Sequence, residues 1–292
     1  MARPGAGAFG YHPRVPTNRE APLVRRERLE GPYFLLTFRH PEVAAQARAG
    51  QFVMIKAGLS AEPPLRRPFS IMSVDPREGT FTLFVKTVGP GSAALAGLAP
   101  GEPAQCLGPL GRPFSLPPAG SQALLVAGGY GVAPFVLLSR ELLAAGRRPY
   151  VFYGARRAAD LPLQSPFAGL GVPLTLATED GSAGVAGRVT VALEAHLALN
   201  PGPAELLACG PEPMMHAVAR VAAERGLRAQ VSLDPWMGCG VGTCLGCVVW
   251  VQRAGEPRPR YRCACTEGPV FDASDVVWPE ASGARAADGG RA

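Results

Sequence analysis

Four cysteines near the end of the chain carry the densest chemistry in the sequence. Cys239, Cys244 and Cys247 follow the spacing C-x4-C-x2-C, and after 17 further residues comes Cys265. Thiolates at that spacing suit a [2Fe–2S] cluster. Such a cluster carries negative charge in a poorly solvated site, so backbone N–H groups must point at its sulfurs. A loop wound that tightly needs positive φ angles, which explains glycine at 238, 240, 242 and 246. Two alternatives compete, a structural zinc site and unrelated buried cysteines. Zinc favours two C-x2-C knuckles, whereas the second pair here is Cys263-Ala264-Cys265. Spacing leaves Cys263 and Cys265 both eligible as the last ligand. Cys106 and Cys209 fall outside the run.

Two further groups of residues suit phosphate-bearing cofactors. The run LLVAGGYGVAP (124–134) reads as strand, glycine turn and helix start, with Gly128, Gly129 and Gly131 opening the backbone to a nicotinamide nucleotide. Cys209-Gly210-Pro211 ends another apolar run in the same manner. Cys209 reads either as a group that shapes hydride transfer or as a small buried thiol beside a turn. The glycine run is not a G-x-G-x-x-G, and a tight turn in any α/β unit explains it as well. Some 20 positions on, Gly154-Ala155-Arg156-Arg157 stands where a ribose-binding acid is usual, which leaves NAD and NADP both open. Earlier, Arg66-Arg67-Pro68-Phe69-Ser70 sets a guanidinium and a hydroxyl beside an extended aromatic stretch, as a flavin diphosphate and ring require. Phe84-Val85-Lys86 and Gly91-Ser92 supply a second candidate contact, the latter at a helix start. Each alone reads as a barrel strand and a turn.

The elements that must position these residues fall into three segments. Residues 16–119 show short strand-like runs (Tyr33–Phe38, Gln51–Lys56, Phe69–Val74, Thr80–Thr87, Ala104–Leu107) separated by turn signals such as Glu62-Pro63-Pro64 and Gly89-Pro90-Gly91. That pattern predicts a small antiparallel barrel or sandwich with one helix at Ser92–Leu98. Residues 120–233 alternate strands (Ala123–Ala127, Pro149–Tyr153, Leu174–Ala177, Glu205–Ala208, Ala229–Leu233) with helices (Pro134–Ala145, Pro213–Arg225), hence a parallel α/β domain. Residues 234–281 hold five of the seven cysteines and one strand, Val248–Val251. This segment is too short to build its own core, so a metal centre is expected to organise it. Residues 1–15 and 282–292 read as flexible tails.

Composition narrows the partners. The net charge of +6 comes from scattered arginines, with Lys56 and Lys86 the only lysines. No basic run interleaves with aromatics, which argues against nucleic acid. The absence of an 18-residue apolar window argues against a transmembrane helix. A start without an apolar h-region points to the cytoplasm, and there seven cysteines read as thiols or ligands rather than disulfides.

Taken in order, Gly50-Gln51-Phe52, Arg67-Pro68-Phe69-Ser70, Gly91-Ser92, GPLGRPF (108–114), AGGYGVAP (127–134), ACGPEPMM (208–215), MGCGVGTCLGC (237–247) and CTEGPVF (265–271) resemble the ferredoxin-reductase-like flavoprotein family. Within it they are most similar to electron-transfer subunits of NAD-dependent dihydroorotate dehydrogenases, over about residues 17–280. The resemblance implies a flavin-binding β-barrel, an NAD-binding α/β domain and a [2Fe–2S] subdomain. It places FAD against Arg67, Pro68, Phe69, Ser70, Phe84, Val85, Lys86, Gly91 and Ser92. It also selects Cys265, the cysteine directly before T-E-G-P-V-F, over Cys263. It implies an FMN-containing catalytic dihydroorotate dehydrogenase partner, two copies of each subunit in a heterotetramer, and a role in pyrimidine biosynthesis. Ser92 stands where Thr is usual, and Asp234-Pro235-Trp236 replaces a more polar stretch before the first ligand. Related chains serve sulfide dehydrogenase and transhydrogenase-type complexes; Cys239, rather than Asp, at the first ligand favours the dihydroorotate branch. A self-contained NAD(P)H reductase is the remaining enzymatic alternative.

Overall fold

The computed structural model describes residues 16–58 and 64–278. The expected tails 1–15 and 282–292, and Glu62 and Pro63 of one turn signal, lie outside the described residues.

The first part of the chain builds β1 (Thr17–Arg28), β2 (Tyr33–Arg39), α1 (Pro41–Gln46), β3 (Phe52–Ala57), β4 (Arg67–Asp75), β5 (Thr80–Lys86), α2 (Pro90–Gly97) and β6 (Pro103–Leu110). The strands close into an antiparallel barrel in the order β1-β2-β5-β4-β3-β6. β6 shows the alternation of a strand with one face inward, Ala104, Cys106, Gly108 and Leu110 being buried. β3 departs from that alternation, being buried from Phe52 to Lys56. Its inner face fills the barrel, and its outer residues Phe52 and Met54 are covered by the cysteine-bearing segment.

Next come β7 (Gln122–Gly128), α3 (Ala133–Ala144), β8 (Pro149–Ala155), α4 (Ser165–Gly169), β9 (Leu174–Thr178), β10 (Val185–Ala186), α5 (Val189–Leu199), β11 (Ala204–Cys209), α6 (Glu212–Glu224) and β12 (Arg228–Ser232). These strands are parallel, and β7 and β11 lie at the centre of the sheet. Their near-continuous apolar sequences follow from burial on both faces. The barrel and this domain share one apolar core, in which Phe114 of the linker meets Phe135 of α3 with ring centroids 5.8 Å apart. The linker is pinned on its other side: Gln230 on β12 exchanges hydrogen bonds with the Ser115 backbone at 2.9 and 2.8 Å and donates to buried Glu205 at 2.7 Å.

The last part forms β13 (Val248–Val251), β14 (Arg260–Cys263), α7 (Ala264–Glu267) and β15 (Val270–Asp272). β15 adds an antiparallel edge strand to the α/β sheet beside β12. Cys247, Val251, Ala264, Cys265 and Phe271 pack into the same core as Leu206 and Val231 of the sheet and Met54 and Leu110 of the barrel. The segment therefore has apolar support from both neighbours, where its length alone had suggested dependence on a metal centre. The expected barrel plus parallel α/β architecture is the one observed.

Candidate functional site

The cysteine loop follows β12 and wraps against the barrel. Gly240 lies so close to β3 that an added Cβ would come within 2.4 Å of the Met54 side chain, and its φ is +76°. Gly242, φ +81°, lies against Thr266. This winding turns backbone N–H groups inward. The N–H groups of Val241 and Cys244 each donate to Cys239 Sγ at 3.4 Å, that of Gly242 to Cys265 Sγ at 3.1 Å, and that of Gly246 to Cys244 Sγ at 3.5 Å. Burial opposes ionisation of Cys239, but the N–H donors of Cys244 and Val241 outweigh it and hold the thiol at about 6. Cys265, 1% exposed, is pushed up to about 12 by burial and by the neighbouring Cys247 thiol.

Cys239 lies beside Cys244, and Cys247 lies beside both Cys265 and Cys263. Among the described residues no three His, Cys, Asp or Glu side chains converge on a point suited to one metal ion. Thiols grouped in this way and ringed by N–H donors fit a two-iron cluster, in which each iron takes two thiolates, better than they fit a single zinc ion. Cys263, half-buried at the end of β14, also adjoins Cys247, but among the described hydrogen bonds no backbone N–H points at its sulfur.

On the barrel, Arg67, Pro68, Phe69 and Ser70 open β4, paired with Ile55 to Phe52 of β3. The Arg67 guanidinium reaches the first turn of α2: a Cβ on Gly91 would stand 3.4 Å from Arg67 Nε. Gly91, Ser92 and Arg67 therefore come together as a cationic, N–H-rich group suited to a diphosphate, with Arg67 Nη1 donating to the Leu65 and Arg66 carbonyls at 2.7 and 3.3 Å. The Ser92 hydroxyl is committed to its own turn, accepting from Val88 and Gly89 N–H at 2.9 and 3.2 Å and donating to the Gly89 carbonyl. Phe84 is 4% exposed and stacks on Tyr33 at 5.4 Å, while Val85 is fully buried in the barrel. A cofactor can meet these two only through their backbone. Lys86 leans over the Tyr33 ring and pairs with Asp160 of the α/β domain at 3.6 Å.

The nucleotide-type residues meet at the centre of the sheet. β8 lies on one side of β7 and β11 on the other, which makes their C-terminal ends a topological switch point where open α/β sheets bind ligands. Gly128 faces Pro211 and Met214, with an added Cβ 2.6 Å from Pro211 Cδ. A Cβ on Gly131 would stand 2.4 Å from the Cys209 carbonyl, and one on Gly210 would stand 2.8 Å from Gly128 N. Gly129 opens the turn with φ +53°. Gly128, Gly131, Cys209, Gly210 and Pro211 thus pack together, with Gly129 in the same turn, at the strand ends where a doubly wound sheet has its crevice, and Tyr130 and Asp234 lie near Cys209. Burial and the nearby Asp234 push the Cys209 thiol up to about 12, and burial raises the Asp234 carboxyl.

Tyr33, Asp160, Tyr130 and Asp234 belong to this region although sequence reasoning did not select them. Tyr33 looked like an ordinary strand residue. Asp160 sits in a 3-10 turn at Ala158–Asp160 with no motif around it. For Asp234, its position between the last strand and the first cysteine was the available signal.

Comparison with known proteins agrees with this layout. Residues 20–114 match an oxidoreductase FAD-binding domain, 125–220 an oxidoreductase NAD-binding domain, and 234–277 the iron–sulfur cluster binding domain of dihydroorotate dehydrogenase B. The chain is 37% identical over 245 residues to the dihydroorotate dehydrogenase B (NAD(+)) electron transfer subunit of Desulforamulus reducens, covering 84% of this chain and 92% of that one. It is 40% identical to the Bacillus caldolyticus electron transfer subunit, covering 83% and 91%. Among solved structures, one from the electron-bifurcating NADH-dependent reduced ferredoxin-NADP oxidoreductase superposes with a TM-score of 0.78 at 31% identity, covering 88% of this chain and 90% of that one. With FAD-binding, NAD-binding and iron–sulfur domains in this order, the chain belongs to the family of dihydroorotate dehydrogenase B electron transfer subunits.

Proposed function

We propose that this chain is the electron outlet of a cytoplasmic dihydroorotate-oxidising complex, a heterotetramer containing two copies each of this chain and of an FMN-bearing catalytic subunit. Dihydroorotate is oxidised on that partner in pyrimidine biosynthesis, and the electrons leave as NADH through this chain. When bound, the cluster supplies one-electron exchange and the FAD converts between single electrons and a hydride.

The chain's own residues divide the work. Cys239, Cys244, Cys247 and Cys265 would hold the two irons of the cluster. Their N–H donors offset the thiolate charge. Arg67 and the first-turn amides of α2 would hold the FAD diphosphate, and Phe69 and Ser70 would line its ring. Gly128, Gly129 and Gly131, with Cys209 to Pro211, admit the nicotinamide half of NAD. The Cys209 thiol, raised to about 12, stays protonated and shapes the crevice as a packing group.

One observation carries the reading: the cysteine loop has two different sides. Gly240 abuts Met54 of the barrel, while Cys244 is exposed beside Trp236, 94% exposed, and Leu245, 62% exposed. The first side faces the FAD domain, and the second suits a protein partner. Co-expression with the catalytic subunit, followed by a dihydroorotate-to-NAD⁺ assay, tests it. NADH formation is expected to require both chains. Full cofactor content without any rate gain from complex formation would sink the proposal.

A further inference from the structure

We infer that Lys56 and Arg66 of the barrel raise the reduction potential of the cluster, acting as fixed cations in a cleft beside Cys239. This rests on reading the four cysteines as holding a [2Fe–2S] cluster.

The position of Lys56 follows from strand alternation. Val53 and Ile55 of β3 fill the barrel, so Phe52, Met54 and Lys56 share its outer face. Gly240 packs against Met54, and Lys56 is the next residue on that face. On β6, Leu107 stands opposite Met54 and Gln105 opposite Lys56. A cleft of about 350 Å³ opens between this face and the cysteine loop, and Lys56, Arg66, Gln105, Leu107, Cys239 and Val241 line it.

The barrel holds both cations in place. Lys56 is buried, so water and salt screen its charge little. Arg66 precedes β4, and its Nη2 donates to Asn18 Oδ1 of β1 at 2.8 Å. Asn18 pairs with Leu107, so this bond draws the guanidinium across β6 toward β1. Arg66 Nε is buried and has no hydrogen-bond partner among the described residues. A buried donor in that state costs free energy, and a nearby anion offsets part of the cost.

The acids of this region stand back from the cleft. Among the described residues, none that lines it is acidic. Glu20 of β1 pairs with Gln105 and is therefore two strands away from Lys56. The anion that the cleft faces is the Cys239 thiolate, with the iron–sulfur centre it would hold. Reduction adds negative charge to a centre that thiolates and sulfides already make anionic. A cation fixed beside it in a weakly solvated cleft favours the reduced form, so removing the cation lowers the potential.

The test is potentiometry on the FAD- and cluster-loaded chain, with the reduced cluster read by its electron paramagnetic resonance signal rather than by turnover. At a fixed poise, Lys56→Met and Arg66→Gln should each raise the oxidised-to-reduced ratio about threefold or more. The double variant should raise it about tenfold or more, which for one electron is a potential lower by about 59 mV. Lys56→Arg, which keeps the charge, should stay at the wild-type value. Iron and FAD contents equal to those of the wild type separate tuning from folding, and Arg66→Gln alone decides the matter where Lys56→Met fails to fold. Unmoved potentials at full iron content would overturn the inference. Weaker binding of the catalytic subunit in the same variants would then make the cleft a seat for a carboxylate of that partner. A wild-type chain that binds no iron would refute the cluster reading, and this inference with it.

Discussion

A thiolate beside iron is stabilised by what points at it, and by that measure Cys263 and Cys265 differ although they are two residues apart. Cys265 is buried, accepts the Gly242 N–H at 3.1 Å and adjoins Cys247. Cys263 is half-buried at a strand end, and burial raises its thiol with no described N–H donor to offset the cost. Cys265→Ser is therefore expected to lose its iron and its iron–sulfur absorption while keeping FAD. Cys263→Ser should retain both, and iron analysis with visible spectra would reveal the reverse assignment. The cysteine spacing was legible in the sequence because ligand geometry is local. The ligand choice was not legible from spacing, since both candidates satisfy the same count. Phe84 and Val85 show the complementary case: they lie in a recognisable motif, yet their side chains serve the barrel core, and their sequence gave no sign of which face they would turn inward.

Between elements, the contact most open to test joins the 3-10 turn after β8 to the barrel strands β2 and β5. Asp160 takes Tyr33, Lys86 and Arg157 as partners. Partial burial raises its carboxyl, but those partners outweigh burial and hold it below the ordinary value of 3.8. A depressed folded-state carboxylate contributes stability that is fully present above its unfolded value and is lost as pH falls through the folded one. Asp160→Asn is thus expected to be less stable at neutral pH and to lose less on acidification below about pH 4. Thermal unfolding of both proteins across that range checks this; parallel pH profiles would remove Asp160 from the link between domains. The hub escaped sequence reasoning because its members lie on two barrel strands and a distant turn, Tyr33 and Asp160 being 127 residues apart. Other elements escaped for local reasons. β1 reads TNREAPLVRRER, polar and broken by Pro22, because its burial is confined mainly to Ala21 and Leu23. α5 opens on Val189, Thr190 and Val191, β-branched residues that read as strand, and its N-cap, Arg188, makes no side-chain cap bond.

At the scale of the whole molecule, the cysteine segment is a wedge. β15 extends the α/β sheet, Gly111 presses on Pro269, and Gly240 presses on Met54, so the loop is braced by both domains. The order of the three segments was legible because alternation, βα periodicity and cysteine density are each local patterns. The bracing depends on surfaces that meet only after folding. What the brace leaves outward is apolar: Trp236 and Leu245 flank exposed Cys244. An electron transfer subunit serves a catalytic partner, and an exposed apolar rim of this kind suits a protein surface. Burying a large apolar side chain contributes on the order of 2 kcal/mol. A Trp236→Ser, Leu245→Ser double variant should therefore bind the catalytic subunit about a hundredfold more weakly or worse. Association measured by sedimentation or calorimetry reads this directly, and NADH-dependent dye reduction by the isolated variant monitors folding without the partner. Dihydroorotate-linked NAD⁺ reduction should fall with the loss of association and recover at high subunit concentration. Unchanged affinity would move the partner's footprint away from this rim and leave Cys244 exposed for another reason.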